Sequence, residues 1–484
     1  MKIKDFISDI DFIEKKIYDN EDIKNVTSDS RDVRENYAFV AIKGYEVDGH
    51  KFIDNAIKNG AKLIVYTEEI DFREDISYIK VEDARKALAQ VSNIITNNPS
   101  KSQLLFGITG TNGKTTVSSM IFFLLKYFKG KSVMIGTNGS YYGSKNDDKW
   151  INTNNTTPEV NEINDILKKG LDEGYKNAVI EASSHALYLK RVYGFDFDYG
   201  IFNNLSEEHL DFHETMENYF DAKMLLLEMS KKKVVNFDDI YGKKAKERFK
   251  DAITFGSSDS DYNISDIKIK DDKLLFKINS VDFKLNTIAK FNAYNALAAV
   301  AVLNDMGYSL YELSKALEKF KGVKARFEYL ENPFGFNIIL DFAHTPKSFD
   351  ELLKAVPKGH KIYAVYGLNG TRTYENRKAM GEIAAKNKVF SIVTMDDPKF
   401  DTAEQIASDI VDGIKENNGE YVVNINRKEA QRYAIDHAQK GDYILLVGKG
   451  DEDFLKIIGN NKIPFSERGL LKEVIDEKCK ELQS

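Results

Sequence analysis

Short apolar runs alternate with amphipathic stretches along most of the chain, which predicts strands interleaved with helices. The predicted strands lie at 37–42, 62–66, 104–106, 133–135, 178–181, 199–202, 274–278, 337–340, 362–366, 390–393 and 443–447. The predicted helices lie at 52–59, from about residue 115, at 293–303 and at 310–320. Because strands that alternate with helices form parallel, doubly wound sheets, the predicted fold class is α/β.

Two turn-rich segments divide the pattern into three predicted domains. Residues 97–100 (Asn-Asn-Pro-Ser) and residues 322–325 are predicted linkers, so the domains are expected at 1–98, 99–324 and 325–484. A length of 484 residues also favours about three domains. The central domain is expected to hold a parallel or mixed sheet, and the C-terminal domain a Rossmann-like doubly wound sheet.

Composition narrows the class of protein. Hydrophobic residues make up 42% of the chain, which is enough to form a core. The net charge is −7, and acidic and basic residues alternate along the chain, which argues against a basic surface that binds nucleic acid. The single cysteine, Cys479, cannot form an internal disulfide, so a cytoplasmic location is expected. Neither a signal peptide nor membrane insertion is expected, because the start of the chain is polar and the apolar stretch 120–128 is broken by Lys126.

A glycine-rich loop carries the strongest chemical signal. It lies between the predicted strand at 104–106 and a helical run, and it consists of Gly110, Thr111, Asn112, Gly113, Lys114, Thr115 and Thr116. Backbone N–H groups of such a loop cradle phosphates, its lysine meets the β- and γ-phosphates, and its first hydroxyl takes Mg²⁺. Ile108 stands where the common pattern has glycine, so this is a variant phosphate-binding loop (P-loop); a glycine turn with a chance lysine is the alternative.

Four further segments place polar side chains after predicted strands. Glu181 ends a strand where an ATP site needs a carboxylate, although strand ends also carry acids for solubility. His209 and His213 lie among three carboxylates, which suits either a Mg²⁺ site or a zinc site. Residues 341–346 and 448–452 fit a ligand crevice, but each can also be a simple turn before a helix.

Taken together and in this order, the segments resemble the Mur ligases of bacterial cell-wall synthesis, and most closely the UDP-N-acetylmuramoyl-tripeptide synthetase (MurE) type. The resemblance covers essentially the whole chain. The motifs that carry it lie at 28–31, 39–44, 48–50, 110–116, 155–158, 181–185, 204–213, 219–223, 291–295, 326–328 and 341–346.

The resemblance implies a role for each group of residues. It assigns ATP binding to the P-loop and to Asn292, Asn295, Arg326, Asp341 and His344. It assigns the UDP-sugar peptide to the N-terminal domain and to Ser28, Ser30, Tyr45, Asn155, Thr156, Thr157, Ser183 and Arg191. It assigns catalysis to Lys114, Glu181, His209, Lys223 and Arg326, and Mg²⁺ to Thr115, Glu181, His209 and a carbamylated Lys223.

The C-terminal domain is expected to bind the incoming amino acid. The residues that the resemblance assigns to it are Arg372, Asp396, Asp397, Pro398, Lys399, Gly448 and Glu452. Diaminopimelate-adding members carry arginine at position 399, whereas lysine-adding members often carry a small or neutral residue. Lys399 keeps the positive charge without the guanidinium fork, which favours meso-diaminopimelate over L-lysine and leaves both open.

Several positions depart from the family pattern. They are Leu189, Ala289, Ala325, the segment 366–373 and Asp451, and they lie mostly in the predicted C-terminal domain. Arg372 and Arg377 are retained there. The departures leave the expected ligase chemistry intact and bear on the identity of the amino acid.

The expected reaction is amide formation driven by ATP. The terminal carboxylate of UDP-N-acetylmuramoyl-L-Ala-D-Glu takes the γ-phosphoryl group, and the amino acid then attacks the acyl phosphate. A monomer without nucleic-acid partners is expected. The alternatives are a related ligase with another acceptor, such as a folylpolyglutamate or cyanophycin synthetase, a non-catalytic ATP-binding scaffold, and a metal-dependent hydrolase at His209 and His213.

Overall fold

The computed structural model describes residues 1–18, 22–44, 47–145, 147–153, 155–457 and 461–483. Contacts divide the chain into two compact units: unit 1 comprises 1–264 and 295–316, and unit 2 comprises 265–294 and 317–484. The three domains expected from the linkers, with boundaries at 98/99 and 324/325, stay a prediction. Among the described residues, no helix combines the length and apolar character needed to cross a membrane.

The first sheet of unit 1 contains five short strands. They are β1 (Glu14–Lys16), β2 (Asn25–Thr27), β3 (Tyr37–Val40), β4 (Ala61–Tyr66) and β5 (Ser77–Lys80), in the spatial order β1-β5-β4-β3-β2. β2 to β5 are parallel and β1 is antiparallel to β5. The helices here are α1 (Ile3–Phe6), α2 (Ile53–Lys58) and α3 (Ala84–Ile95), with 3₁₀ turns at Ile7–Asp9, Gly49–Phe52 and Pro99–Ser102.

A larger sheet forms the centre of unit 1. Its strands are β6 (Leu104–Thr109), β7 (Ser132–Gly136), β8 (Gly139–Gly143), β9 (Asp148–Ile151), β10 (Asn177–Glu181), β11 (Phe197–Phe202), β12 (Ser230–Asn236), β13 (Ile253–Gly256) and the start of β14 (Tyr262–Lys270). From β14 the order is β14-β13-β12-β11-β6-β10-β7-β8-β9. The described pairs are parallel except β7 with β8 and β8 with β9, which confirms the expected mixed sheet.

Helices follow the strands of this sheet and bury its faces. They are α4 (Lys114–Lys129), α5 (Val160–Asp172), α6 (Ser184–Tyr188), α7 (Leu210–His213), α8 (Met216–Glu228), α9 (Ile240–Arg248), α10 (Phe291–Asp305) and α11 (Leu310–Leu317). The predicted helix at 310–320 therefore ends three residues early. The apolar stretch of α4 packs inward, because Met120, Ile121 and Leu124 are buried.

Two amide side chains tie the first sheet to the central one. Asn164 on α5 donates from Nδ2 to Ser92 Oγ at 2.8 Å and to Asn93 Oδ1 at 2.7 Å, both on α3. Asn93 in turn donates to the carbonyl oxygen of Tyr193 at 3.0 Å. Because these polar groups are buried, their mutual hydrogen bonds fix how α3 lies against α5.

Because four neighbouring strands of the central sheet are parallel, the loops that follow them all lie at the same edge of the sheet. Glu181 at the end of β10 lies opposite Ile108 on β6, and Phe202 at the end of β11 lies opposite Thr109. The carboxyl ends of β6, β7, β10 and β11 therefore share this edge. In open α/β sheets this is where ligands bind.

Unit 2 contains a hairpin and a six-stranded sheet. The hairpin is β15 (Lys273–Ile278) with β16 (Val281–Leu285). The sheet is β17 (Glu328–Leu330), β18 (Asn337–Asp341), β19 (Ile362–Tyr366), β20 (Phe390–Val393), β21 (Tyr421–Val423) and β22 (Tyr443–Val447), in the order β17-β18-β22-β19-β20-β21. All pairs are parallel except β17 with β18. A small hairpin, β23 (Phe454–Lys456) with β24 (Lys462–Pro464), follows.

Helices cover both faces of the six-stranded sheet. They are α12 (Pro346–Ala355), α13 (Tyr374–Lys386), α14 (Ala403–Glu416), α15 (Arg427–His437) and α16 (Glu467–Glu481). Neighbouring residues of β18 point to opposite cores: Ile339 packs in the core that contains α12 to α14, and Ile338 in the core that contains α15 and α16. This confirms the Rossmann-like, doubly wound sheet predicted for the C-terminal part.

A buried ion pair holds α15 to α16. Arg427 Nε lies 2.7 Å from Glu467 Oε2, and the two side chains are 2% and 0% exposed. The guanidinium also donates to the carbonyl oxygens of Met395, at 3.0 Å, and Val447, at 2.8 Å. Each of the three guanidinium nitrogens therefore donates to a neighbouring protein atom.

Replacing Glu467 by alanine should destabilise unit 2, because it leaves the Arg427 charge buried without its counter-ion. We expect the free energy of unfolding, measured by urea titration, to fall by about 3–5 kcal/mol. Glu473→Ala is the matched control, since Glu473 pairs with Lys428 at the surface of the same helix. Equal losses in the two variants would contradict a special role for the buried pair.

Candidate functional site

The P-loop connects β6 to α4, which begins at Lys114, one residue earlier than expected. Gly113 has φ +82°, in the left-handed region. A Cβ atom there would lie 2.4 Å from both Asn203 Nδ2 and Asn295 Oδ1. The second glycine of the motif is therefore required by its backbone and by its neighbours.

The loop is curled around its own lysine. Lys114 Nζ donates to the carbonyl oxygens of Gly110 and Thr111, each at 2.9 Å. The amide of Thr111 donates to the carbonyl oxygen of Asn204 at 3.0 Å, and the amide of Asn112 to Asn204 Oδ1 at 2.9 Å. The segment after β11 thus fixes the loop conformation.

Glu181 is the buried centre of the site. Its side chain is fully buried, and its carboxylate accepts from Thr115 Oγ1 at 3.0 Å and from Thr137 Oγ1 at 2.9 Å. The backbone amide of Thr137 donates to the other carboxylate oxygen at 3.1 Å. A Cβ atom on Gly136 would lie 2.2 Å from Glu181 Oε1, so only glycine leaves room for this carboxylate.

Hydroxyl groups extend from Glu181 towards the residues predicted for the UDP-sugar peptide. Thr156 Oγ1 lies 3.2 Å from Thr137 Oγ1, and Thr157 Oγ1 donates to the carbonyl oxygen of Glu181 at 2.6 Å. Ser183 caps α6 and donates its backbone amide to Thr157 Oγ1 at 3.1 Å. Asn155 is exposed nearby in the chain.

Arg191 reaches the same segment from beyond α6. It donates to the carbonyl oxygen of Thr157 at 3.0 Å and lies 2.8 Å from Glu159 Oε1. Its Nε atom is buried and makes no hydrogen bond among the described residues. A buried donor without a partner is costly, so this one is suited to a ligand.

Lys223 lies beneath the P-loop, where it is 1% exposed. Its Nζ donates to the carbonyl oxygen of Gly110 at 3.0 Å and lies 4.6 Å from the centre of the Tyr219 ring. Burial, followed by the nearby charge of Lys114, lowers the pKa of Lys223 well below its usual value. The side chain is therefore biased towards the neutral amine.

Three histidines gather beside Lys223. The His185 ring lies 4.7 Å from His209 and 5.5 Å from His213, measured between ring centres. His209 Nε2 is 3.7 Å from Glu208 Oε1, and His213 Nε2 is 3.0 Å from Ser184 Oγ. Among the described residues, no group of three or more His, Cys, Asp or Glu side chains is arranged to hold a metal ion.

Burial lowers the pKa of two of these histidines. The pKa of His213 falls to about 4, because of burial and then the neighbouring His185 and Lys223. The pKa of His185 is lowered as well, mainly by burial. Both imidazoles are therefore neutral at physiological pH.

In unit 2, three of the predicted ATP residues, Arg326, Asp341 and His344, lie around the end of β18. Asp341 accepts from the amides of Phe327, at 2.6 Å, and Ala343, at 2.7 Å, and burial raises its pKa. The Arg326 guanidinium lies 4.7 Å from the centre of the Phe342 ring. His344 Nδ1 is 2.8 Å from the carbonyl oxygen of Phe342. Asn292, which belongs to the first segment of unit 2, is buried in the first turn of α10, and Asn295, which belongs to unit 1, is buried in the next turn.

The predicted amino-acid residues of unit 2 gather around Lys449, which is fully buried. Lys449 Nζ lies 2.9 Å from Asp397 Oδ1, 3.9 Å from Asp396 Oδ1 and 2.5 Å from Glu452 Oε2. Gly448 has φ +107°, and a Cβ atom there would lie 2.6 Å from Asp396 Oδ2. Gly370, beside Arg372 in the chain, donates its amide to the carbonyl oxygen of Asp397 at 2.8 Å.

The N-terminal predictions are only partly described. Ser30 is buried and accepts from Asn55 Nδ2 at 3.1 Å, while Ser28 is half-buried after β2. Tyr45 lies outside the described residues. The hydrogen bond from Asn55 shows that Ser30 also positions α2.

Comparison with known proteins places these features in one family. Family models match at residues 22–95 (Mur ligase family, catalytic domain), 108–303 (Mur ligase middle domain) and 325–450 (Mur ligase, glutamate ligase domain). A UDP-N-acetylmuramoyl-L-alanyl-D-glutamate–2,6-diaminopimelate ligase from Caldanaerobacter subterraneus subsp. tengcongensis is 40% identical over 468 residues, which cover 95% of this chain and 96% of the relative. The chain belongs to the Mur ligase family.

Further Mur ligases resemble it in sequence and in fold. One of the same name from Clostridium acetobutylicum is 39% identical over 493 residues, covering 99% of this chain and 100% of the relative. A solved structure of that ligase type superposes with a TM-score of 0.64 at 25% identity, covering 95% and 96% of the two chains. A MurF ligase from Thermotoga maritima in complex with ADP has a TM-score of 0.66 at 21% identity, covering 95% and 98%, which shows a shared fold.

Family membership confirms the resemblance stated from the motifs, and with it the prediction of a ligase rather than a hydrolase or a scaffold without catalysis. The individual site assignments stay predictions. The structure does bring Lys114, Thr115, Glu181 and Lys223 together around one loop, with Thr156, Thr157, Ser183 and Arg191 adjoining it.

Sequence reasoning missed Thr137 and the side chain of Tyr219. Thr137 follows β7 and gives two hydrogen bonds to Glu181. Tyr219 Oη lies 3.2 Å from Thr111 Oγ1 and its ring faces Lys223. A threonine directly after a buried parallel strand is the signal that could have identified the first of these.

The histidine cluster gives a pH prediction. Unfolded His213 has an ordinary pKa near 6.5, so between about pH 6.5 and pH 4 the unfolded state binds the extra proton. We therefore expect the stability of the Mur ligase to fall as pH is lowered through this window, as measured by urea unfolding at each pH. In His213→Gln the part of the slope due to this group should vanish; an unchanged slope would contradict the assignment.

Proposed function

We propose that this chain joins 2,6-diaminopimelate to UDP-N-acetylmuramoyl-L-alanyl-D-glutamate, with cleavage of ATP to ADP and phosphate. The observation that carries the proposal is the buried Glu181 carboxylate bonded to Thr115 at the start of α4, one residue from Lys114. Full-length relatives that are 40% and 39% identical carry this activity in their names. ATP-dependent amide formation is the chemistry that such a loop and carboxylate serve.

The first step transfers the γ-phosphoryl group. A carboxylate oxygen of the dipeptide attacks the γ-phosphorus, the bond to the β,γ-bridging oxygen breaks, and an acyl phosphate and ADP result. Lys114 would leave the carbonyl oxygens of Gly110 and Thr111 to neutralise the developing charge. Asn112 Nδ2 and Asn203 Oδ1 are buried and have no hydrogen-bond partner among the described residues, so they offer a donor and an acceptor to the nucleotide.

The donor set at Glu181 suits Mg²⁺. The carboxylate of Glu181 and the hydroxyl of Thr115 are hard oxygen ligands 3.0 Å apart, as magnesium prefers. Glu181, Thr115 and His209 would hold such an ion, and Lys223 in its carbamylated form would hold a second one. When bound, the metal supplies positive charge to the phosphate oxygens.

The second step forms the amide. The amino group of the incoming amino acid attacks the acyl carbon, the bond to the phosphate oxygen breaks, and the nitrogen loses a proton. The acyl phosphate carries phosphate as a good leaving group, whereas the free carboxylate has no good leaving group. The residues of unit 2 that the resemblance assigns to the amino acid supply charges of both signs: Asp396, Asp397 and Glu452 for an ammonium, and Lys399 and Arg372 for a carboxylate.

Lys223 is suited to carbamylation, because burial favours its neutral amine. Nζ attacks the carbon of CO₂, one N–H proton leaves, and the side chain becomes an anion. The change of sign matters, because an ammonium beside Lys114 would repel a cation, whereas a carbamate would attract one.

The binding roles of the remaining predicted site residues are also part of this proposal. They comprise the UDP-sugar-peptide residues Ser28, Ser30, Tyr45, Asn155, Thr156, Thr157, Ser183 and Arg191, and the ATP residues Asn292, Asn295, Arg326, Asp341 and His344. The orphaned Nε of Arg191 supports an anionic or carbonyl ligand for the first group. The meso form of the amino acid, a monomeric state and a cytoplasmic location likewise stay predictions, the last supported by the single Cys479.

The reaction is tested by ADP release with UDP-N-acetylmuramoyl-L-alanyl-D-glutamate, ATP, Mg²⁺ and a panel of amino acids. We expect meso-diaminopimelate to give the largest kcat/KM, and Lys114→Met to lower it about 100- to 1000-fold. Lys126→Met, on the same helix and paired with Asp148, should keep full activity. A clear preference for L-lysine, or an active Lys114→Met protein, would refute the proposal.

Carbamylation is tested separately, by ¹³C NMR after equilibration with labelled bicarbonate. A carbamate carbon signal should appear in the wild-type protein and be missing in Lys223→Met, while Lys244→Met at the surface retains it. Lowering the pH should remove the signal, since protonation of the amine releases CO₂. A signal that survives in Lys223→Met would contradict the assignment.

A further inference from the structure

Charges of both signs are crowded into the part of unit 2 that holds Lys399. The acids there are Asp396, Asp397 and Glu452, and the cations are Arg372, Lys399, Lys449 and Lys456. Lys456 ends β23 and was not among the residues predicted from the sequence.

The acids of this group are bound to Lys449. That lysine is fully buried and lies within 4 Å of all three carboxylates, at 2.9 Å from Asp397, 3.9 Å from Asp396 and 2.5 Å from Glu452. A buried ammonium needs such compensation. Asp397 Oδ1 also accepts the backbone amide of Lys456 at 2.9 Å.

Lys399 and Lys456 are held next to each other. The amide of Lys399 donates to the carbonyl oxygen of Lys456 at 3.4 Å. Burial lowers the pKa of Lys399, and the positive charge of Lys456 is the next largest cause. Among the described residues, neither lysine forms an ion pair; Lys456 Nζ lies 5.4 Å from the centre of the Phe454 ring.

Two half-buried cations set side by side repel each other unless an anion lies between them. Arginine would offer one planar fork to a carboxylate, whereas two lysines offer two point charges that can each bind one carboxylate oxygen. The two lysines together can therefore bind a carboxylate as the guanidinium of an arginine at position 399 would.

We propose that Lys456 is a second specificity-determining residue, which binds the distal carboxylate of the incoming diamino acid together with Lys399. The inference rests on the proposed function and adds the residue that selects the substrate. L-Lysine lacks this carboxylate, so no ligand anion would offset the repulsion between the two ammonium groups, and Asp397 and Glu452, the acids that act on Lys399, already pair with Lys449. The difference in affinity between the two amino acids arises from that repulsion.

The test compares Lys456→Gln with the wild-type protein in the ADP-release assay, using meso-diaminopimelate and L-lysine in turn. We expect KM for meso-diaminopimelate to rise about 10- to 100-fold with kcat within about twofold, because only binding of the carboxylate is lost. KM for L-lysine should stay the same or fall. Lys456→Arg should restore the wild-type KM for meso-diaminopimelate to within about threefold.

Lys462→Gln is the matched control. Lys462 lies on β24 of the same hairpin, with Nζ 4.1 Å from the centre of the same Phe454 ring, and it should leave both KM values unchanged. Thermal unfolding checks that all variants fold. The inference is overturned if Lys456→Gln behaves like Lys462→Gln, or if it raises KM equally for both amino acids.

The outcomes separate this inference from the proposed function. An active wild-type protein that prefers meso-diaminopimelate, with an unchanged Lys456→Gln variant, refutes only the role of Lys456. A wild-type protein that forms no ADP with either amino acid refutes the proposed function and this inference together.

Discussion

The burial of one carboxylate, that of Glu181, governs the architecture of the site. A fully desolvated carboxylate is stable only where hydrogen-bond donors surround it. Here the donors come from three places in the chain: Thr115 at the start of α4, Thr137 after β7, and Ser118 one turn further along α4, at 3.4 Å. The helix that follows the P-loop is thereby fixed against the ends of two neighbouring strands.

The same carboxylate connects the helix that follows the P-loop to the segment predicted to bind the UDP-sugar peptide. Thr137 bonds to Glu181 and lies beside Thr156, while Thr157 bonds to the main chain of Glu181. On the other side of the loop, Tyr219 spans from Thr111 to Lys223. Residues assigned to different ligands thus share hydrogen-bonded neighbours. A movement of the P-loop would therefore change the positions of both groups of residues.

Strands that are continuous apolar runs could be predicted from the sequence, whereas strands without such a run could not, even where they are buried, as β8 and β13 are. The bounds of β19 and β22 were predicted correctly, the start of β10 was predicted one residue late, and the end of β6 three residues early. β9 and β21 were missed because they are short, lie at sheet edges and are largely exposed, so they carry no apolar run. The helix start at Lys114 was displaced by one residue because the loop and the helix share the same motif.

The residues of the motifs could be predicted from the sequence, but the contacts among them could not, because those contacts depend on how the strands pair in the folded chain. Lys114, Glu181 and Lys223 each belong to a recognisable pattern, and the structure brings them together. Thr137 and Lys456 belong to none. A threonine directly after a buried strand is a weak sequence signal, and a lysine in a short hairpin is none, so the role of each is defined by the neighbours that the folded chain brings to it.

The glycine at position 136 sets a limit on how this chain can be altered. A Cβ atom there would lie 2.2 Å from Glu181 Oε1, so any side chain would push the carboxylate away from its hydrogen-bond donors. In a mutagenesis library, codon 136 should therefore stay fixed even though it encodes no reactive group. The absence of a side chain at this position is what lets the carboxylate of Glu181 lie beside Thr115 and Thr137.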